Sequence, residues 1–245
     1  MAPPASSSRV RLGARRVRLD RWATACALAG LAALLALGTW QLDRRQWKQA
    51  LNAERLAALS APIVPIARAD ALDGTLAFRR ARLHGRFLHE REVHLLGKAW
   101  RSQGGVHVLT PLALSGGGVI LVERGFVPNA LRAAERRPAG QLTDEVAVEG
   151  VLRPQPRSGP FTPANRPERS QWYWPELAVL SRALELELAP LYLEAGATAN
   201  PGGWPLAGQA SVTLPDNHLG YAITWYGLAA TLAAVYLAYH WRRAD

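Results

Sequence analysis

The 245 residues are 49% hydrophobic and 20% charged, which excludes wholesale disorder and allows one large domain or a domain with extra segments. The formal net charge of +10 raises nucleic acid as a partner, but its distribution argues against one. Arg9, Arg11, Arg15, Arg16, Arg18 and Arg21 against Asp20 give the first 21 residues +5, residues 43–216 carry +4, and Arg242 and Arg243 against Asp245 supply the remainder.

Residues 22–42 and 217–241 carry no formal charge. At a helical rise of about 1.5 Å these runs reach roughly 31 and 37 Å, enough to cross a hydrocarbon core of about 30 Å. Trp22 and Trp40 bracket the first run, and Tyr221, Trp225, Tyr236, Tyr239 and Trp241 lie near the ends of the second, as aromatic belts require. Arginines outside both runs orient the two ends to the cytoplasm, so the middle is exported. A cleaved signal peptide is the competing reading of the first run, but its apolar stretch is long and Ala36-Leu37-Gly38 is a poor cleavage site. The expected division is a basic cytoplasmic tail (1–21), a first transmembrane helix (22–42), a periplasmic domain (43–216), a second transmembrane helix (217–241) and a short cytoplasmic tail (242–245).

Residues 43–59 are rich in helix formers, so the first helix should continue or bend outward until Ala61-Pro62. Beyond it the pattern turns to strands, with one pair expected over 76–88 and 91–97. Val106, Val108, Thr110, Leu112 and Leu114 alternate with their neighbours, and the apolar run 119–122 follows Ser115-Gly116-Gly117-Gly118, which predicts an antiparallel hairpin. Val146, Val148 and Leu152 predict another strand. Five prolines within 153–170 require a loop, after which Pro175 is placed for a first helical position. The stretch 176–187 has helical period, with Leu177, Leu180 and Leu184 on one face. Short strands are expected at 191–193 and 212–214. The fold class is thus a two-helix membrane protein whose terminal helices flank an exported α+β domain, with an antiparallel sheet that could close like a barrel.

Cysteine and histidine usage narrows the chemistry. Cys26 is the only cysteine and lies in the first apolar run, so the exported part has no disulfide framework and no thiolate for copper. His84, His89 and His94 recur every five residues, which on strands turns His89 away from the other two and favours surface histidines over a metal site. Glycines 116–118 suit a turn and lack phosphate-loop spacing. No G-x-S-x-G, H-E-x-x-H or paired-cysteine pattern occurs, and the protein is not expected to be an enzyme.

The segment from Pro215 to Tyr226 is the most informative. Asp216 or Asn217 is placed to cap the second helix, which puts His218 in its first turn at the outer face of the bilayer. The positive end of the helix dipole disfavours imidazolium there and leaves a lone pair able to bind iron. His218, Tyr221 and Trp225 follow i, i+3, i+7 spacing and form one stripe. An interfacial histidine among belt aromatics is the alternative. Ala27, Gly30, Leu34 and Gly38 would let the first helix approach the second closely.

With these residues the sequence resembles the surfeit-locus family of cytochrome oxidase assembly proteins. The resemblance is carried by Gly38-Thr39-Trp40-Gln41 with Arg44, Gly85-x-Phe87, Thr110-Pro111-Leu112 and Val122-x-Arg124-Gly125-Phe126-Val127-Pro128. It continues through Phe161-x-Pro163-x-Asn165, Trp172, Pro201-Gly202-Gly203 and Asn217-His218-Leu219-x-Tyr221-x-x-Thr224-Trp225-Tyr226-Gly227. Phe126 stands where the family often has tryptophan, and Gly220 replaces a larger residue, which is expected to loosen the first turn of the helix.

The resemblance implies a bacterial inner-membrane protein that assists maturation of haem-copper cytochrome c oxidase by handling haem a for insertion into the catalytic subunit. His218 matches the family's proposed axial ligand to haem iron, and Trp225 and Tyr226 the aromatic positions beside it. Arg44 and Arg45 are candidates for the haem propionates, with juxtamembrane solvation as the plainer account. The implied partners are the lipid bilayer, the oxidase catalytic subunit and the machinery that makes haem a. A scaffold that stabilises oxidase subunits without binding haem is the alternative function.

Overall fold

The computed structural model describes residues 21–208 and 214–242. The basic tail 1–20, most of the strand expected at 212–214, and Arg243 lie outside them. Two compact units result: one takes in the described residues up to Leu51 and from Pro215 onward, the other Asn52–Leu214.

The first unit is a helix pair. Helix α1 (Arg21–Ser60) is continuous for 40 residues, and it ends where Ala61-Pro62 predicts. Its charge-free stretch and α3 (His218–Arg242) are both long and apolar enough to cross a membrane. Their contact is set by small residues. A Cβ on Gly30 would lie 3.1 Å from Leu232, and one on Gly38 only 2.7 Å from the Tyr226 ring, while Ala222 and Ala229 of α3 are buried. The Thr24 and Tyr236 hydroxyls bond across the pair at 2.8 Å, so the polar groups in this apolar setting satisfy one another.

The second unit is a sheet of seven strands: β1 (Val64–Ile66), β2 (Arg80–Phe87), β3 (Val93–Trp100), β4 (Gln103–Leu114), β5 (Val119–Pro128), β6 (Val146–Pro154) and β7 (Leu191–Ala195). They pair in the order β1-β2-β6-β7-β5-β4-β3, and β2 also pairs with β4, so β2, β6, β7, β5 and β4 form a ring. Gly85 makes the β2–β4 closure possible, because a Cβ there would sit 2.2 Å from the Ala113 carbonyl oxygen. The hairpin from β4 to β5 turns through Gly117 and Gly118, both at positive φ.

Two pairings correct the all-antiparallel expectation: β1 with β2, and β5 with β7, are parallel. A parallel return needs a long crossover, and between β5 and β7 the chain supplies one by way of β6, the proline-rich loop and helix α2 (Leu177–Leu184). That helix starts after Pro175 and stops before 187, because Glu185 adopts a left-handed conformation whose N–H returns to the Ser181 and Arg182 carbonyls.

The burial pattern follows from the ring. Leu83, Phe87, Leu112, Ile120, Val122, Leu152 and Leu193 pack into one core, while Leu95, Leu109, Leu121, Trp172, Leu177, Leu180 and Leu184 form a second one that includes α2. Strands β4 and β5 are covered on both faces, which is why 119–122 reads as an unbroken apolar run. In the loop, Asn165 supplies the fixed points: its Oδ1 accepts from Tyr173 N at 2.9 Å, and its Nδ2 donates to the Trp174 carbonyl and Glu176 carboxylate at 3.2 and 3.1 Å.

Candidate functional site

The site forms at the first turn of α3. The Asp216 carboxylate accepts from the His218 backbone N–H at 3.1 Å, and the Tyr221 N–H donates to the Asn217 carbonyl at 3.3 Å. Asp216 therefore supplies the side-chain cap. The helix runs unbroken through Gly220, whose carbonyl accepts from the Thr224 hydroxyl at 2.9 Å.

His218 reaches across to α1. Its Nδ1 lies 2.7 Å from Oε1 of Gln41, a side chain 9% exposed. An amide oxygen only accepts, so Nδ1 is the ring nitrogen that donates in this contact, and Nε2 is the one left free of it. The neighbouring turns hold this contact in place. Gly38 admits the Tyr226 ring, and the Tyr226 and Thr39 hydroxyls bond at 3.2 Å. Thr39 in turn donates to the Leu35 carbonyl at 2.9 Å.

The structure distributes the other expected residues unevenly. Trp225 is half-buried, whereas Tyr221 is 57% exposed, so the i, i+3, i+7 stripe is split. The guanidinium of Arg45 lies 3.9 Å from Asp216 and so joins the cap. Arg44 instead stacks on Trp47 of its own helix, 3.9 Å from the ring centroid. Lys48, not expected from sequence, donates to the Pro215 carbonyl at 2.5 Å and ties the approach to α3 onto α1. Gln41 is the principal residue missed as a site component. Its signal was an amide side chain at the end of a charge-free run, where water would otherwise have to satisfy it.

The other histidines form no second centre. No group of three metal-ligating side chains occurs among the described residues. His84 is exposed on β2, and His94 on β3 contacts Glu92 at 2.8 Å. His89 is in a 3-10 turn between these strands rather than on a strand, and its Nε2 donates to the Leu142 carbonyl at 2.9 Å.

The architecture defines a class: two helices of spanning length, joined near one end through a histidine–glutamine contact, bracket a sheet-rich domain in sequence. Residues 28–230 match the sequence model of the SURF1 family, and the chain belongs to that family. It is 34% identical over 228 residues to Surfeit locus protein 1 of Mus musculus, covering 86% of this chain and 74% of that one. It is 36% identical over 213 residues to the SURF1-like protein of Monosiga brevicollis, covering 82% and 81%. A bacterial relative, the SURF1-like protein of Rickettsia felis, is 29% identical over 211 residues, covering 84% and 91%.

Proposed function

We propose that this chain is a non-catalytic assembly factor of the bacterial inner membrane, which holds haem a and assists its insertion into the catalytic subunit of cytochrome c oxidase. Both termini are cytoplasmic in this reading and the ring of strands, a barrel-like domain, is periplasmic. The observation that carries it is the Gln41–His218 hydrogen bond. A metal-binding imidazole commonly donates its other ring N–H to an oxygen that fixes tautomer and orientation, and here the 2.7 Å contact does so from a buried amide. With Nδ1 engaged by Gln41, Nε2 is the nitrogen that His218 would offer to the iron.

Haem a, when bound, supplies an iron that takes an axial imidazole and propionates that take cations. His218 would serve the iron, and Arg45, already drawn toward Asp216, is better placed than Arg44 to serve a propionate. Trp225, and Tyr221 with its exposed ring, would offer aromatic surface beside it. Tyr226, held by Gly38 and Thr39, keeps the two helices at the spacing the histidine contact requires.

The test is to purify the protein from cells that make haem a and to record its absorption spectrum beside that of His218→Ala. Haem is expected in the wild type and lost from the variant, whereas equal haem content would remove His218 as the ligand. A complex with the catalytic subunit that survives in His218→Ala, with no haem in either protein, would assign the scaffold function instead.

A further inference from the structure

Arg124 occupies an irregularity in the ring. Val108 and Leu109 are consecutive in β4, yet they pair with Gly125 and Glu123 of β5, so Arg124 is the extra residue of a bulge. Bulges commonly re-aim a side chain. Here the side chain is 1% exposed, and its guanidinium lies over the Phe87 ring, 4.6 Å from the centroid.

The guanidinium is only partly used. Its Nη2 donates to the Gly140 carbonyl at 2.6 Å and to Asn200 Oδ1 at 3.0 Å, while Nε and Nη1 are buried without an acceptor. Three N–H groups are thus unclaimed. No carboxylate pairs with Arg124 among the described residues, and Glu92, which acts on it through its field, is committed to Arg137 and His94. Burial drives the guanidinium pKa down to about 10, with Glu92 opposing and Arg137 adding to the shift, so the group is still cationic at neutral pH. A buried, charged and unpaired group of this kind is costly to keep.

Beside it is a cavity of about 90 Å³, lined by Arg124 with Phe87, Val122, Leu142, Val148 and Asn200. A single ordered water needs only about 10–15 Å³ measured the same way, so there is room for a small molecule. The unclaimed donors call for an anion, and the apolar walls call for methylenes.

We propose that this cavity binds the carboxylate of a short aliphatic acid, with Arg124 as its anchor. One uncommitted cation matches one negative charge, so a carboxylate fits better than a phosphate dianion, which also has no apolar part to bury. The site is independent of His218.

The full-length protein in detergent micelles is titrated with acetate, propionate, hexanoate and inorganic phosphate at matched ionic strength. Saturation-transfer NMR follows ligand protons, and thermal unfolding follows the protein. Propionate is expected to saturate with a Kd on the order of millimolar, and at ten times Kd the folded-to-unfolded ratio should rise about 11-fold. Arg124→Met and Ala195→Leu are expected to weaken binding at least about tenfold. The second variant fills the cavity from β7 with the guanidinium intact, and it decides the matter if Arg124→Met does not fold. His218→Ala is expected to bind like the wild type. Hexanoate binding tighter than propionate would identify the ligand as the carboxylate end of a larger molecule, and weaker binding a free small acid. No saturation transfer, equal responses to phosphate and propionate, or unchanged binding in Ala195→Leu would overturn the proposal.

Discussion

Gln41→Leu tests whether the glutamine sets the state of His218. Leucine is close in size to glutamine and is a good helix former, so at a position 9% exposed between two apolar helices it should leave the helix pair folded. It removes a single acceptor, 2.7 Å from Nδ1. A neutral hydrogen bond is worth about 1 kcal/mol net, and loss of an orienting partner behind a metal ligand typically costs about 10–100-fold in affinity, or about 1.4–2.7 kcal/mol. The greater figure applies if the freed imidazole rotates or changes tautomer. The assay is a haem titration of the detergent-solubilised protein followed by difference absorbance, with the wild type, Gln41→Leu and Gln41→Glu side by side. The leucine variant should bind at least tenfold more weakly than the wild type, and the glutamate variant, which still accepts from Nδ1, should retain binding. A Kd for Gln41→Leu within twofold of the wild type, with His218→Ala inactive in the same assay, would refute the inference that Gln41 prepares the ligand.

The two interhelical glycines should respond differently to alanine. At Gly38 the new Cβ would meet the Tyr226 ring at 2.7 Å, a ring tethered by its hydroxyl to Thr39, and such overpacking costs about 1–3 kcal/mol. At Gly30 the contact is 3.1 Å to the rotatable end of Leu232, and the gain in helix propensity of up to about 1 kcal/mol offsets it. Heat-induced loss of helical circular dichroism in detergent should therefore come earlier in Gly38→Ala and be near wild type in Gly30→Ala, and equal shifts would contradict the packing described. A separate prediction concerns acid sensitivity of the sheet unit. Burial, aided by Arg124 and opposed by the Leu142 carbonyl, Glu92 and Glu90, holds the His89 imidazole below its ordinary 6.5. The unfolded chain then takes up the proton first, so the stability this group contributes is present above about pH 6.5 and is lost as pH falls through its lower folded value. Urea midpoints should decline between pH 7 and 5 in the wild type and decline less in His89→Asn; parallel curves would show that His89 is not the group responsible.

Local pattern and long-range pairing were not equally legible in the sequence. The hairpin of β4 and β5 followed from alternation and a glycine turn, and the apolar face of α2 from the spacing of Leu177, Leu180 and Leu184, because each depends on neighbours in the chain. The extent of α1 was legible too, since the first charge at Asp43 ends an apolar run but not a helix, and the helix formers after it carry the helix to Ser60; whether it would continue straight or bend was not. Ring closure was out of reach. Gly85 is visible as a glycine in a strand, which signals a close backbone approach, but nothing local names Ala113 as the backbone that approaches. The bulge at Arg124 is equally silent, because an extra residue disturbs the register only once the partner strand is known.

The same distinction explains what was seen of the site. His218 was legible because its position depends on an adjacent cap, Asp216, and on the charge-free run behind it. Tyr221 was grouped with it by helical spacing, yet at about 100° per residue Tyr221 lies some 60° away from His218, while Ala222, Trp225 and Ala229 lie within about 40°. Burial of Ala222 and Ala229 shows which of these directions meets α1, and the exposure of Tyr221 follows from it. Gln41 is 177 residues from His218 and was included only as part of a motif. Its role requires knowing that Gly38, one turn earlier, admits Tyr226 and so fixes the spacing and rotation of the two helices. The residue that orients the histidine is therefore specified by interhelical packing, and Gly38→Ala should weaken haem binding in the same titration without touching the histidine itself, whereas a Kd equal to that of the wild type would refute the link.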